Sequence, residues 1–113
     1  MTAVTRISVC IATYRRAERL AALLTDLTRQ TLLPQEVVIV DNDEAGSAAA
    51  VVEECRRSQP PFAIRYAIQP VKNISITRNR TVELASEEWL AFVDDDERAP
   101  DFWLARLAAA ATQ

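Results

Sequence analysis

The chain has 113 residues, half of them hydrophobic and 26% charged, a composition that buries one core and forms one domain, residues 1–113. Its net charge of −3 argues against a general binder of nucleic acid or of anionic membranes, which would carry a basic surplus. It contains no His, which removes His-based catalysis and His metal ligation, and one Gly, too few for any glycine-rich phosphate loop.

Arg6, Arg15 and Arg16 bracket a short apolar stretch that lacks a signal-peptide pattern. No run reaches the ~20 apolar residues of a membrane span, so a soluble cytoplasmic domain is expected. Cys10 and Cys55 fall in an expected strand and an expected helix, far apart in sequence, and read as buried free thiols in a reducing compartment.

In chain order, Ile7-Ser8-Val9-Cys10-Ile11-Ala12 reads as a strand, broken by Thr13-Tyr14-Arg15-Arg16. Leu20, Leu23, Leu24 and Leu27 then recur at the spacing of one helix face. After Pro34, Glu36-Val37-Val38-Ile39-Val40-Asp41 holds four consecutive β-branched residues and predicts a central parallel strand. Ser47 suits the cap of a second helix that presents Ala48, Val51, Val52 and Cys55 on one face. Pro60-Pro61 ends it, and the alternating stretch from Phe62 to Ile68 predicts an edge strand. A third helix is expected from about Ser75 to Ala85, with Arg78 and Asn79 on its first turn. Trp89 to Val93 is a continuous apolar run and predicts a strand buried on both faces. Pro100 suits the first position of a last helix with Leu104, Leu107, Ala108 and Ala111 on its apolar side.

The order β-α-β-α-β-α-β-α implies an α/β fold, with a mostly parallel sheet and helices on its faces. Ligands of such sheets bind beyond the carboxyl ends of the strands. Three loops should converge there: Thr13 to Arg16, Asp41 to Glu44, and Asp94 to Glu97. The last holds Asp94-Asp95-Asp96-Glu97, four carboxylates in a row. Crowded carboxylates call for a hard cation with oxygen ligands, such as Mg²⁺, Mn²⁺ or Ca²⁺, or else form a solvated acidic loop. Arg15 and Arg16 supply positive charge at a helix start, where cations oppose the helix dipole. Tyr14 can stack on a ring or simply pack. Asp41 can accept hydrogen bonds from a base or ribose, or can cap a turn. Arg78 and Asn79 face the same cleft or a solvated surface.

Together these segments resemble family 2 glycosyltransferases, inverting enzymes of the GT-A fold. The resemblance rests on Val9 to Arg16, on Gln30-Thr31 followed by Glu36 to Asn42, on Thr77-Arg78-Asn79-Arg80, similar to an A-R-N segment, and on Asp94-Asp95-Asp96, similar to a D-x-D motif. It implies a Rossmann-like sheet, the nucleotide-binding half of a GT-A domain, and a nucleotide-sugar donor, UDP-linked by expectation. It further implies that Thr13, Tyr14 and Arg16 border the nucleotide and that Asp41 contacts the base. Arg78 would lie near the base, Asn79 near the sugar, and Asp94 at the ribose or sugar. Asp96, with Asp94 beside it, would hold a divalent metal, Mn²⁺ or Mg²⁺, on the diphosphate. The acceptor, a glycan, lipid or small molecule, stays open.

Two departures bear on function. The stretch Lys72-Asn73-Ile74-Ser75-Ile76 stands where the family usually has a small residue. The family's catalytic base lies in the second half of its domain, so it is expected beyond Gln113, and Glu97 is not expected to replace it. The chain is therefore expected to be a donor-binding portion that self-associates through uncovered apolar surface. A non-catalytic nucleotide-binding or interaction module is the other class of function. A phospho-acceptor receiver domain would place a carboxylate pair where Thr13 and Tyr14 stand.

Overall fold

A computed structural model describes residues 6–111. The elements run β1 (Ile7–Thr13), α1 (Ala17–Thr28), β2 (Glu36–Asp41), α2 (Ala49–Arg57), β3 (Ala63–Ile68), α3 (Ile74–Leu84), β4 (Trp89–Phe92) and α4 (Trp103–Ala111). The four strands form one sheet in the order β3-β2-β1-β4. Every pairing is parallel, with Thr13 beside Asp41 and Cys10 beside Phe92.

Strand alternation sends odd-numbered side chains of β1 and β2 to one face. There Val9, Ile11, Val37 and Ile39 join Leu20, Leu23, Leu24 and Leu27 of α1, Val52 of α2 and Leu104 of α4 in a single core. The leucine stripe of α1 is wholly buried, as its spacing predicts. Removing one such side chain to Ala would cost about 2–5 kcal/mol. On the other face Cys10 meets Thr81 of α3. That helix covers the sheet with Thr77 and Thr81, whose hydroxyls donate to their own helix at Asn73 O and Arg78 O, so the polar groups are satisfied under the sheet. Helices therefore lie on both faces.

Beneath the opposite end of the sheet, Glu36 accepts from Ser8 (2.6 Å), from the Ser86 amide (2.6 Å) and hydroxyl (2.8 Å), and from Arg65 (2.8 Å). One carboxylate thereby ties β2 to β1, β3 and the α3–β4 turn. Burial raises its pKa, but these donors outweigh that and hold it below the usual carboxylate value. No helix among the described residues is long and apolar enough to cross a membrane.

Three local expectations are corrected. β4 is an edge strand among the described residues, not one buried on both faces: Trp89 is 44% and Phe92 52% exposed. An apolar run reports burial tendency, not which strands stand alongside. Ser47 does not cap α2; its side chain bonds Asp43, and the Ala48 amide donates instead to Asp41 Oδ2 at 2.9 Å. Pro100 lies ahead of α4 rather than in its first turn, and of that helix's expected apolar side only Leu104 and Ala108 are buried. Both thiols are free, as expected, but only Cys10 is fully buried: Cys55 is half-buried, and burial pushes both thiols up.

Candidate active site

Strand β1 continues to β2 on one side and lies against β4 on the other, so its carboxyl end is a switch point of the sheet, where ligands of such folds bind. The three loops predicted to converge do so here. The Asn42 amide donates to Thr13 O (2.8 Å), and the Val93 amide to Cys10 O (3.3 Å), which carries the pairing just past the strand ends.

The acidic loop is pinned by its middle member. Asp95 is only 6% exposed and accepts from Thr13 Oγ1 (2.9 Å), the Tyr14 amide (3.3 Å) and Arg16 Nη1 (3.1 Å). Asp95 and Asp96 form a turn closed by the Glu97 amide on Asp94 O; within it Asp95 is buried, while Asp94 and Asp96 are exposed and line the cleft. Glu97 closes the loop: its Oε1 accepts from the Asp94 amide at 3.0 Å, and its own amide donates to Asp94 O.

The cleft has a volume of about 660 Å³, within the range of small-molecule sites. Its walls include Arg16, Arg78, Asn79, Asp94 and Asp96. An adjoining recess of about 160 Å³ is lined by Thr13, Tyr14, Asn42 and Thr77 and shares Arg16, Ile74 and Asp95 with the larger one. Seven of the eight predicted site residues thus border one continuous region. The charges in it are paired: Arg16 Nη1 is 3.1 Å from Asp96 Oδ2 and Arg78 Nη2 is 3.5 Å from Asp94 Oδ1. Above the recess, the Tyr14 ring carries Lys72 Nζ at 4.3 Å and the Arg15 guanidinium at 5.1 Å from its centre, a cation–π arrangement that keeps cations beside that ring.

Asp41, the eighth, lies under this region and lines neither cavity. It has no exposed surface; Oδ1 accepts from the Asp43 amide (3.0 Å), and Oδ2 from Ala48 N (2.9 Å) and Tyr66 Oη (2.7 Å). Burial and this bond to Asp41 push the Tyr66 phenol far above its usual value, so it stays a donor. Gly46 lets the β2–α2 loop close over the carboxylate. Its φ is +70°, and a Cβ there would stand 3.0 Å from Ile68 Cδ1 and 3.4 Å from Tyr66 Oη.

Several residues that shape the site escape sequence reasoning. Asn42 is buried; its Nδ2 donates to Gln69 O (2.9 Å) and Val71 O (2.8 Å) and its Oδ1 accepts from Asn73 N (3.0 Å). Asn73 in turn caps α3 by accepting from Ile76 N (3.0 Å). This relay fixes the helix that carries Arg78 and Asn79. On the other side of the acidic loop, Arg98 grips Asp26 of α1 with two bonds of 2.7 and 2.8 Å. The Arg98 bond is the main cause that holds the Asp26 carboxyl below its usual range. Gln30 donates to Ala99 O and Pro100 O, and its Oε1 accepts from Leu104 N (3.0 Å) at the start of α4. Gln30 and Asn42 fall in segments that carry the resemblance, but no local pattern names partners: those of Asp26 and Gln30 are about 70 residues away in sequence.

Asp94 and Asp96 are hard oxygen donors on an accessible rim. No cluster of three or more metal-ligating side chains occurs among the described residues. The donor set fits an ion such as Mg²⁺ or Mn²⁺ that takes one or two carboxylates and completes its shell with substrate phosphates and water.

A family model described as glycosyl transferase family 2 matches residues 8–113. The succinoglycan biosynthesis protein ExoM of Rhizobium meliloti (strain 1021) is 40% identical over 104 residues, 89% of this chain and 33% of that protein. The uncharacterized glycosyltransferase YwdF of Bacillus subtilis (strain 168) is 33% identical over 81% of this chain and 33% of its own length. Among solved structures, S. aureus TarS in complex with UDP-GlcNAc superposes with a TM-score of 0.77 at 25% identity, covering 93% of this chain and 30% of that one. The mannosyltransferase PcManGT of Pyrobaculum calidifontis, solved with GDP-Man and Mn²⁺, gives 0.75 at 22% identity over 84% of this chain and 28% of its own, a likeness of fold. The chain spans about a third of the length of these relatives. Since the family match runs over almost all of the sequence, and its strands meet in the parallel sheet of GT-A transferases, the chain belongs to glycosyltransferase family 2.

Proposed function

We propose that this chain holds the nucleotide-diphospho-sugar donor, a UDP-sugar, of a metal-dependent inverting glycosyltransferase that passes the sugar to an acceptor hydroxyl. The observation that carries the reading is the placement of Asp94 and Asp96 on one rim of a cleft whose other walls supply Arg16, Arg78 and Asn79. The UDP-GlcNAc carried by a structurally similar relative supports the choice of donor class.

In this reading the smaller recess takes the base end of the nucleotide, with Tyr14 as its ring and Thr13 at its floor. The larger cleft takes the diphosphate and sugar. Asp96, with Asp94, holds Mn²⁺ or Mg²⁺. The bound ion would supply Lewis-acid stabilisation of the charge that develops on the departing diphosphate. Arg16 and Arg78 add charge-assisted hydrogen bonds to the same oxygens. Asn79 orients the sugar with a neutral donor and acceptor. Asp41 acts from beneath, by holding the β2–α2 loop against β3, since its oxygens are already engaged. Glu97 is committed to the loop and does not serve as the base that takes the acceptor proton.

A thermal-shift titration tests this. UDP with Mn²⁺ at ~100 times its dissociation constant should add about 2.7 kcal/mol of stability. UDP without metal should add less, and GDP and dTDP show whether the uracil is selected. A cooperative melt that no nucleotide moves, with or without metal, would leave the chain as a non-catalytic module of the same fold.

A further inference from the structure

Arg16 has a geometry that the donor-binding reading does not by itself require. One nitrogen, Nη1, lies 3.1 Å from Asp95 Oδ1 and 3.1 Å from Asp96 Oδ2. The two acceptors differ in kind. The Asp95 side chain is 8% exposed and is held by Thr13 and Tyr14 as well; the Asp96 side chain is 36% exposed and, among the described residues, pairs with Arg16 and, at 4.0 Å, Arg19. The guanidinium is therefore anchored on one carboxylate and loosely parked on the other. Across the cleft Arg78 is parked in the same way on Asp94, at 3.5 Å with both groups more than half exposed.

We infer that Arg16 is an exchange residue: in the empty protein it occupies the carboxylate meant for the metal, and donor binding moves that contact onto the diphosphate. The inference rests on the nucleotide-sugar reading above and adds to it a required coupling. A cation arriving at Asp96 meets a guanidinium already there and must displace it. Exposed ion pairs of this kind are weak, so displacement by a divalent ion is easy but not free. Once displaced, Arg16 stays tethered to Asp95 and keeps several N–H groups for an anion in the cleft. A diphosphate offers those oxygens, and it also ligates the ion. Metal and nucleotide thus each remove an obstacle to the other, and linkage makes the effect reciprocal.

The consequence is a pair of opposite signs in one variant. In Arg16→Ala, Mn²⁺ alone should bind roughly two- to fivefold more tightly, because Asp96 is no longer occupied. UDP in the presence of saturating Mn²⁺ should bind roughly tenfold or more weakly, because a charged donor to the phosphates is gone. The factor by which UDP tightens Mn²⁺ should shrink. Arg15→Ala is the control: Arg15 is more exposed, is also cationic and sits next in sequence, but it pairs with Asp43 and not with the acidic loop. It should leave the coupling factor unchanged, which separates exchange from a general loss of positive charge.

The measurement is Mn²⁺ affinity of the full chain by electron paramagnetic resonance of the free ion, with and without UDP, beside UDP affinity by calorimetry. Opposite shifts in Arg16→Ala, absent in Arg15→Ala, are the expected result. If Arg16→Ala weakens both ligands, leaves the metal affinity unchanged, or matches Arg15→Ala, the exchange is overturned while nucleotide binding stands. If the unaltered chain binds neither UDP nor Mn²⁺, the donor-site reading itself fails and the exchange with it. A melt of each variant in plain buffer confirms that the mutants are folded.

Discussion

Replacing Asp95 by Ala should unlatch the acidic loop and destabilise the whole domain, although the side chain is expected to touch neither metal nor nucleotide. The size of the effect follows from its three partners. The Thr13 hydroxyl is buried and would lose a bond to a charged acceptor, worth about 1.5–3 kcal/mol. The Tyr14 amide, at 3.3 Å, adds about 0.5 kcal/mol. The Arg16 pair is half exposed on the cation side and is discounted for solvent screening to about 0–1 kcal/mol. The sum, roughly 2–4.5 kcal/mol, is a large part of the 5–15 kcal/mol typical of a folded domain. For a chain of this size it lowers the melting temperature by roughly 8–18 °C. Asp96→Ala, one residue away but on the rim, should stay within about 0.5 kcal/mol of the unaltered chain. Urea unfolding at constant m-value measures both. Equal destabilisation by the two substitutions, or an Asp95→Ala protein as stable as the original, would refute this division between an inward structural aspartate and outward ligands.

Other perturbations probe the supports of the site. Glu36 has a folded pKa below its unfolded value, so its contribution is present above the ordinary Glu value and is lost as pH falls through the lowered one. Urea unfolding from pH 7 down to pH 3 should therefore show a loss that is smaller in Glu36→Gln; identical pH slopes would remove Glu36 as its source. Gln30→Ala should cost about 1–3 kcal/mol by leaving Leu104 N and the Ala99 carbonyl without these bonds and taking one of two donors from the Pro100 carbonyl. Its signature is faster hydrogen exchange at Leu104 than at Leu23, and unchanged exchange there would argue that α4 is held otherwise. The exposed Trp89 and Phe92 on the β4 edge should promote self-association, measurable by sedimentation velocity as a concentration-dependent increase in mass. A monodisperse monomer over a wide concentration range would count against it.

Strand and helix positions were legible where one residue type dominates a period. Four β-branched residues place β2 in the centre, and four leucines at helical spacing place α1 on the core. Alternation of strands and helices then implied that the three loops meet, and they do. What local pattern does not carry is the choice of partner. The run from Trp89 to Val93 is apolar enough for a central strand, yet stands at the edge, because sheet order is set by crossovers and not by hydrophobicity. Asp94, Asp95 and Asp96 are identical in sequence; the positions of Thr13, Tyr14 and Arg16 distinguish the middle one and hold it inward. Asp41 shows the same limit. Its place after a strand fits both a ligand contact and a capping group; one oxygen closes a local turn on the Asp43 amide, and the other is engaged by Ala48 and Tyr66, 7 and 25 residues away. The start of α4 is invisible locally because its capping acceptor, Gln30, belongs to α1.

In the proposed function, Asp96 binds a divalent ion together with a nucleoside diphosphate in this cleft. Calorimetric titration of UDP into the chain, with and without Mn²⁺ and with Asp96→Ala in parallel, decides the point. Tight binding should need the metal, and Asp96→Ala should weaken it toward the metal-free value while the protein stays folded. Binding that is equally tight without Mn²⁺, or that survives Asp96→Ala unchanged, would contradict it.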